Sequence, residues 1–209
     1  GLSIEAHRTA AIFLLMGTWW ATEAVPVAVT ALVPLALFPL LGIVDIQNAA
    51  DPYANKTIYL FFGGFLIATA IQKWDLHKRI ALFVLENAGS NGASLIFGFM
   101  LTAAVISMWV MNTATTIMLL PIGLAVVSVV KTTVNYLSDE DIESFQLALL
   151  LGIAYGATIG GMSTLIGTGP NGMLAAFMSD NYGLDISFVD WMKVGVPLSA
   201  VMLPCSWFI

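Results

Sequence analysis

The chain has 209 residues, of which 59% are hydrophobic and only 10% are charged, and its mean hydropathy is +0.91. This composition excludes a soluble globular domain, and with it a nucleic-acid-binding module, and it places most of the chain in lipid. The net charge of −6 is no guide to a ligand, because most acidic residues fall in predicted loops.

Three apolar stretches in the first third of the chain predict full membrane spans, Ala10–Ala24, Val25–Ile43 and Thr57–Ile71. Glu23 marks the turn between the first two. The basic segment Lys73–Arg79 follows the third and is expected in the cytoplasm by the positive-inside rule.

Residues Leu76–Glu86 predict an amphipathic helix that lies at the membrane interface. Its apolar side is expected to carry Leu76, Ile80, Phe83 and Val84. His77 falls inside the basic segment and is interpreted as a solvated histidine rather than a proton relay.

The uncharged stretch Ser94–Val130 is too long for one span and, at roughly 55 Å if helical, too short for two spans and a loop. Its polar residues cluster at the middle, from Met111 to Thr116. The length and the cluster predict two shorter helices that meet inside the membrane, a re-entrant hairpin. The second helix is expected to begin near Ala114.

A second interruption is predicted within Leu147–Met178, an uncharged stretch with six glycines between Gly156 and Gly172, together with Pro170. Glycine and proline cost about 1 and 3 kcal/mol in a helix interior, so two half-helices with an unwound middle are expected. The final apolar run, Val194–Ile209, spans only about 24 Å as a helix, which suggests a truncated span.

Two interrupted membrane segments in one chain are the best pointer to a transport site, because helix ends present backbone dipoles to a solute. The start of the second hairpin helix, with Asn112 and Thr113, suits an anion. Ser107, the carbonyls near Met111, the Asn112 side-chain oxygen and carbonyls around Gly160 offer oxygen ligands to a hard cation. In the simpler reading, Asn112 and the threonines only bond to neighbouring helices.

This site would have no lysine or arginine to offset a desolvated dianion. Bound cations would have to supply the positive field. Anion binding is therefore expected to depend on sodium.

Five segments together resemble the divalent-anion:sodium symporters, also called the INDY or dicarboxylate carrier family, over nearly the whole chain. They are Trp19–Pro26, Tyr53–Asn55 with Phe61–Phe65, Lys73–Arg79, Asn112–Thr116, and Gly160–Gly161 with Gly167–Asn171.

The resemblance implies a homodimer whose protomers each carry a scaffold and a moving transport domain, built from two inverted repeats, of which this chain is the first. It implies scaffold and interfacial helices over 1–87, the hairpin over 88–131, the broken helix over 144–180 and a last, truncated helix over 188–209.

The resemblance also implies the site residues. Substrate binding is expected at Asn112, Thr113 and Gly161, and sodium binding at Ser107, Met111, Asn112 and Gly160. Met111 stands where the family has serine, so it could bind sodium only through its backbone carbonyl.

The expected protein is an all-α, multi-pass protein of the plasma (inner) membrane that imports succinate-like dicarboxylates, or related di- and tricarboxylates, with sodium ions by alternating access. A carrier of sulfate or another divalent anion, and an ion channel with a glycine-rich filter, stay open as alternatives. An intramembrane enzyme is disfavoured, since the sequence offers no Asp pair, Ser-His pair or His-Glu cluster at membrane depth.

Overall fold

A computed structural model describes residues 1, 3–87, 91–134 and 137–208 of the chain. Every regular element in those ranges is a helix, as the composition predicts. The helices are α1 (Ile4–Thr22), α2 (Val27–Ala31), α3 (Val33–Leu40), α4 (Ile46–Ala50), a 3-10 helix (Asp51–Ala54), α5 (Lys56–Lys73), α6 (Leu76–Asn87), α7 (Gly92–Ser107), α8 (Asn112–Thr133), α9 (Asp139–Gly161), α10 (Gly169–Tyr182) and α11 (Phe188–Phe208). The chain forms two compact units, Gly1–Ile58 and Tyr59–Ile209.

The first unit is a set of short helices after α1. Ser3 caps α1 by accepting a hydrogen bond from Ala6 N, and α1 ends where Glu23 adopts a left-handed backbone conformation, with φ of 50°. Glu23 is therefore the turn that the sequence predicts. The Tyr53 hydroxyl donates to Ala31 O at 2.7 Å, which ties the 3-10 helix to the end of α2.

Two of the predicted spans differ from what the sequence predicts. The stretch Val25–Ile43 contains α2 and α3, which are separated at Leu32, and together they cover only Val27–Leu40. Pro34 contributes to this break because it has no N–H to continue the helical bonding. The predicted span Ala10–Ala24 overlaps α1, which begins at Ile4 and ends at Thr22. The first two turns of α1 are polar, so α1 is not among the helices apolar enough to cross a membrane.

Four intervals are long and apolar enough to cross a membrane, judged by length and composition over the described residues. They are Ile46–Lys73, which ends with α5, and the helices α8, α9 and α11. The predicted span Thr57–Ile71 agrees with α5. The last helix begins at Phe188, six residues before the apolar run Val194–Ile209, and these added residues include the charged Asp190 and Lys193.

Helix α6 is amphipathic, but its buried side differs from the predicted one. Ala81 is fully buried and Ile80 packs against the core, whereas Leu76 and Phe83 are exposed. His77 is 6% exposed, with its Nδ1 3.4 Å from Ile71 O, so the prediction of a solvated histidine is wrong. The cause is helical spacing, which places residue 77 on the same side as residues 80, 81 and 84.

Helix α9 is the centre of the second unit and packs against α7, α8 and α11. Its glycines at 152, 156 and 160 recur every fourth residue and face α7. A Cβ atom on Gly156 would overlap Met100 O and lie 2.9 Å from Met100 Cα, and one on Gly160 would overlap Ala104. The two backbones approach closely because this stripe has no side chains.

Candidate functional site

The second unit contains two helix breaks. The chain leaves helical geometry between α7 and α8, at Met108–Met111, and again between α9 and α10, at 162–168. Each break falls within a stretch where the sequence predicts one, but Gly160, around which the second was expected, is still helical. The first three residues of the predicted hairpin 88–131 are outside the described residues. The hairpin helices are unequal, because α7 has 16 residues while α8 has 22, so the prediction of two shorter helices is wrong for the second.

The first break brings Ser107 and Asn112 together. Ser107 ends α7 and is fully buried, and its hydroxyl lies 2.8 Å from Asn112 Oδ1 and 3.3 Å from Val110 O. The buried Thr115 hydroxyl approaches Val110 O from α8 at 3.4 Å. Three side chains and one carbonyl thus form a compact cluster of neutral oxygens beneath the tip.

The end of α9 lies directly against this cluster. A Cβ atom on Gly161 would overlap Asn112 Oδ1 and lie 3.0 Å from Asn112 Cγ, so only glycine admits the amide there. A Cβ atom on Gly167 would lie 2.9 Å from both Gly161 Cα and Ser107 O. The two breaks therefore meet with backbone against backbone.

Of the predicted residues, Ser107, Asn112 and Gly161 are in mutual contact through Asn112. Gly160 precedes Gly161 and packs on Ala104, one turn before Ser107. Its carbonyl accepts a hydrogen bond from Ser163 N at 3.0 Å. The Met111 carbonyl accepts one from Thr115 N at 2.9 Å, while the Met111 side chain is 52% exposed.

Helix α8 begins at Asn112, two residues earlier than expected, and has no side-chain cap, since Met111 occupies the N-cap position. Helix α10 also starts without a side-chain cap, at Thr168. In contrast, α1, α7 and α9 are each capped by a side chain. The first N–H groups of α8 lack intrahelical acceptors, and Thr113 beside them is exposed, so this end can donate hydrogen bonds to an anion.

The sequence analysis assigned no role to two buried residues, of which one joins the two breaks and the other holds the second break together. The Thr164 hydroxyl donates to Met108 O across the two breaks and accepts a hydrogen bond from Gly167 N at 3.1 Å. Asn171 donates through Nδ2 to Gly161 O at 3.0 Å and to Thr164 O at 2.7 Å. The only signal in the sequence was their polarity within an uncharged stretch, which does not say which groups they contact.

The site carries no formal charge on any side chain named so far. Its oxygens belong to hydroxyl, amide and carbonyl groups. Hard cations prefer such oxygen ligands to nitrogen or sulfur. Its N–H groups are the donors that a carboxylate accepts. The arrangement can therefore hold a cation and an anion side by side without an ion pair from the protein.

Two grooves lie elsewhere in the second unit, with volumes of about 670 and 520 Å³. Both are bordered by α7 and α11 and share Trp207, and their lining is mostly apolar. None of the predicted site residues lines them. The site is thus identified by its polar contacts and not by cavity size.

Comparison with known proteins gives one family match and a set of curated relatives. The model of a family described as "Citrate transporter" matches residues 18–209. The chain is 39% identical over 198 residues to the sodium-dependent dicarboxylate transporter SdcS of Staphylococcus aureus strain USA300, which covers 94% of this chain and 38% of that protein. It is 39% identical over 204 residues to the protein of that name from strain bovine RF122 / ET3-1, covering 97% and 39% of the two chains. The chain therefore spans about two fifths of the length of these relatives.

Proposed function

Because the chain belongs to the citrate transporter family, we propose that it is the first repeat of a secondary active transporter that imports C4-dicarboxylates such as succinate, or related di- and tricarboxylates, together with sodium. The observation that carries this proposal is the contact between Asn112 at one helix break and Gly161 at the other. That contact joins an anion-binding helix start to a group of cation-binding oxygens.

The anion is proposed to bind at the start of α8. The free N–H groups there and the exposed Thr113 hydroxyl would donate to one carboxylate, and the Asn112 amide would lie beside them. No lysine or arginine occurs between residues 88 and 130 or between 147 and 178. A dianion at this place therefore needs positive charge from another source.

Sodium is proposed to supply that charge as a co-transported ion. Ser107 Oγ and Asn112 Oδ1 would provide side-chain oxygens, and Met111 and Gly160 would provide backbone carbonyls. Because Asn112 belongs to both groups, sodium bound on one side would orient the amide that the anion meets on the other. Coupling of the two solutes follows from this shared residue and from the field of the ion.

Transport is proposed to proceed by alternating access, with the hairpin and the broken helix moving together. The backbone contacts of Gly156, Gly160 and Gly167 would hold those parts as one rigid body. The breaks are proposed to lie within the membrane, where irregular backbone is tolerated only against protein or a water-filled cavity. A homodimer in the plasma (inner) membrane completes the proposal.

The test is uptake of labelled succinate by the full-length protein in liposomes, with sodium varied and with citrate and sulfate as competitors. We expect saturable uptake that requires sodium. The competitor that inhibits succinate uptake more strongly, citrate or sulfate, identifies the anion class that the protein prefers. Uptake that is undiminished without sodium would refute the coupling. Ion flux that does not saturate and does not follow succinate would favour a channel instead.

A further inference from the structure

The end of α9 presents a group of backbone carbonyls whose partners differ. A helix leaves its last carbonyls without intrahelical donors, so each must find a partner elsewhere. The carbonyls of Ile159, Gly160, Gly161 and Met162 all lie at this end, next to the tip of the hairpin.

Side chains from later helices donate hydrogen bonds to three of these four carbonyls. The Ser199 hydroxyl donates to Ile159 O at 2.8 Å, the Asn171 amide donates to Gly161 O at 3.0 Å, and the Trp191 indole donates to Met162 O at 3.0 Å. Over the residues that the structure describes, Gly160 O accepts hydrogen bonds from backbone N–H groups alone. The Gly160 carbonyl is therefore the one of the four that accepts no hydrogen bond from a side chain.

Two of the three donors belong to one face of α11. Trp191, Gly195 and Ser199 recur every fourth residue, so they point in the same direction. A Cβ atom on Gly195 would lie 2.8 Å from the carbonyl oxygens of both Met162 and Ser163. The missing side chain lets α11 approach the break closely enough for the flanking Trp191 and Ser199 to reach its carbonyls.

Ser199 also forms a hydrogen bond with a residue of the break itself. Ser163, which is fully buried, donates to Ser199 Oγ at 2.8 Å while Ser199 donates to Ile159 O. A hydroxyl chain thus links the residue just beyond the end of α9 to a carbonyl in its last turn. Removing the middle hydroxyl would leave the buried Ser163 hydroxyl without its acceptor and would leave Ile159 O with only the backbone N–H of Met162, at 3.2 Å, which favours local rearrangement.

We propose that Ser199 and Trp191 are positioning residues for the coupling ion, which fix the end of α9 so that Gly160 O, the carbonyl of the four to which no side chain donates, can bind the cation. This inference rests on the proposed function of the same site. An oxygen cage that is held rigidly discriminates between cations by size better than a flexible one. Helix α11 therefore sets the sodium affinity and the preference for sodium over lithium, although none of its side chains touches the ion.

The experiment measures uptake of labelled succinate by the full-length protein as a function of sodium and of lithium. Ser199→Ala is expected to raise the half-saturating sodium concentration about three- to tenfold, the range that one ordinary hydrogen bond supplies. It is also expected to reduce the preference for sodium over lithium, with little change in the maximal rate at saturating sodium. Ser199→Thr keeps a hydroxyl and is expected to restore most of the sodium affinity.

Trp191→Phe is a second, independent variant, which keeps the aromatic ring and removes the indole donor. It is expected to shift the sodium curve in the same direction even where Ser199→Ala does not fold. Thr102→Val is the matched control, because Thr102 is equally buried and its hydroxyl has no hydrogen-bond partner in the described part of the chain. Its sodium curve should match that of the unmodified protein.

A purely structural role would lower the maximal rate or the amount of folded protein and leave the half-saturating sodium concentration and the sodium-to-lithium ratio unchanged. That result in Ser199→Ala and Trp191→Phe would overturn the inference. If uptake by the unmodified protein does not depend on sodium at all, the proposed function fails as well. Sodium-dependent uptake that the variants do not alter would refute the inference alone.

Discussion

The two helix breaks of the second unit differ in what they expose. At the hairpin tip, the Met111 side chain is 52% exposed and Thr113 is exposed. In the break between α9 and α10, Ser163 and Thr164 are fully buried, and Leu165 is 2% exposed. The first break leaves side chains exposed at its tip, while the second is buried.

The breaks also differ in how their polar backbone is satisfied. The tip is short and relies mainly on hydroxyls from its own two helices, Ser107 and Thr115. The longer break is held by donors from α10 and α11 and by glycines that admit other backbones. An exposed tip on a buried, rigid support is an arrangement in which ligand groups are positioned before the ligand arrives.

The difference between an exposed tip and a buried support is tested most strongly by disrupting the contact between the two breaks. Gly161→Ala would place a methyl group where Asn112 Oδ1 lies, so the tip must move away from its support. We expect uptake to fall about a hundredfold, the cost of misplacing a binding group by about 1 Å. Gly63→Ala is the control, because a Cβ atom there would meet nothing within 4 Å. Normal uptake by Gly161→Ala would contradict the contact.

The next effect concerns the tip alone. Thr113→Val removes an exposed hydroxyl from the start of α8, and a hydrogen bond to a charged acceptor is worth enough to raise the half-saturating succinate concentration about tenfold or more. Thr116→Val is the matched control, since the Thr116 hydroxyl already donates to Asn112 O of its own helix at 2.9 Å. Equal effects of the two substitutions on the half-saturating succinate concentration would show that the Thr113 hydroxyl does not bind the anion.

A smaller effect is expected beneath the tip. Ser107→Ala removes an oxygen 2.8 Å from Asn112 Oδ1 and should raise the half-saturating sodium concentration about three- to tenfold. Ser128→Ala, on the exposed side of α8, should leave it unchanged. The comparison would fail if Ser107→Ala altered the succinate dependence and spared the sodium dependence.

The smallest effect on transport is expected from the bond that joins the two breaks. Thr164→Val removes the hydrogen bonds to Met108 O and from Gly167 N, which together contribute about 1–3 kcal/mol to stability. Thermal unfolding in detergent should shift to lower temperature, while uptake by the folded fraction should fall less than in the three preceding variants, because Thr164 is not one of the proposed ligand groups. Thr158→Val, whose hydroxyl bonds only within α9, should shift it less. A stability equal to that of the unmodified protein would indicate that other contacts hold the breaks together.

The sequence predicts the positions of both breaks because their causes are local. The hairpin follows from an uncharged stretch of the wrong length with one polar cluster, and the second break follows from Gly167, Gly169 and Pro170. The prediction was less accurate for Gly156, Gly160 and Gly161, which remain helical. Their low helix propensity is offset by packing, of Gly156 and Gly160 against α7 and of Gly161 against Asn112, a tertiary effect that propensity does not contain.

The support of the site could not be predicted for a similar reason. The hydrogen bonds of Ser199 and Trp191 to the end of α9 join residues about 30 to 40 positions apart in the chain. A local sequence pattern cannot predict such contacts. The buried side of α6 was misjudged because the predicted side mixed two helical faces, with Leu76 and Phe83 on the exposed one. Local chemistry thus located the breaks, while long-range packing decided which of their groups are free.

The central claim is that the exposed tip of the hairpin meets the ligands, and cysteine protection tests it most directly. In full-length protein whose native cysteines, including Cys205, are replaced, Met111→Cys places a thiol at the tip without changing its backbone carbonyl. We expect sodium and succinate together to slow its reaction with a membrane-impermeant thiol reagent, and to leave Ser128→Cys unaffected. Equal reaction rates at Met111→Cys with and without both ligands would contradict the account.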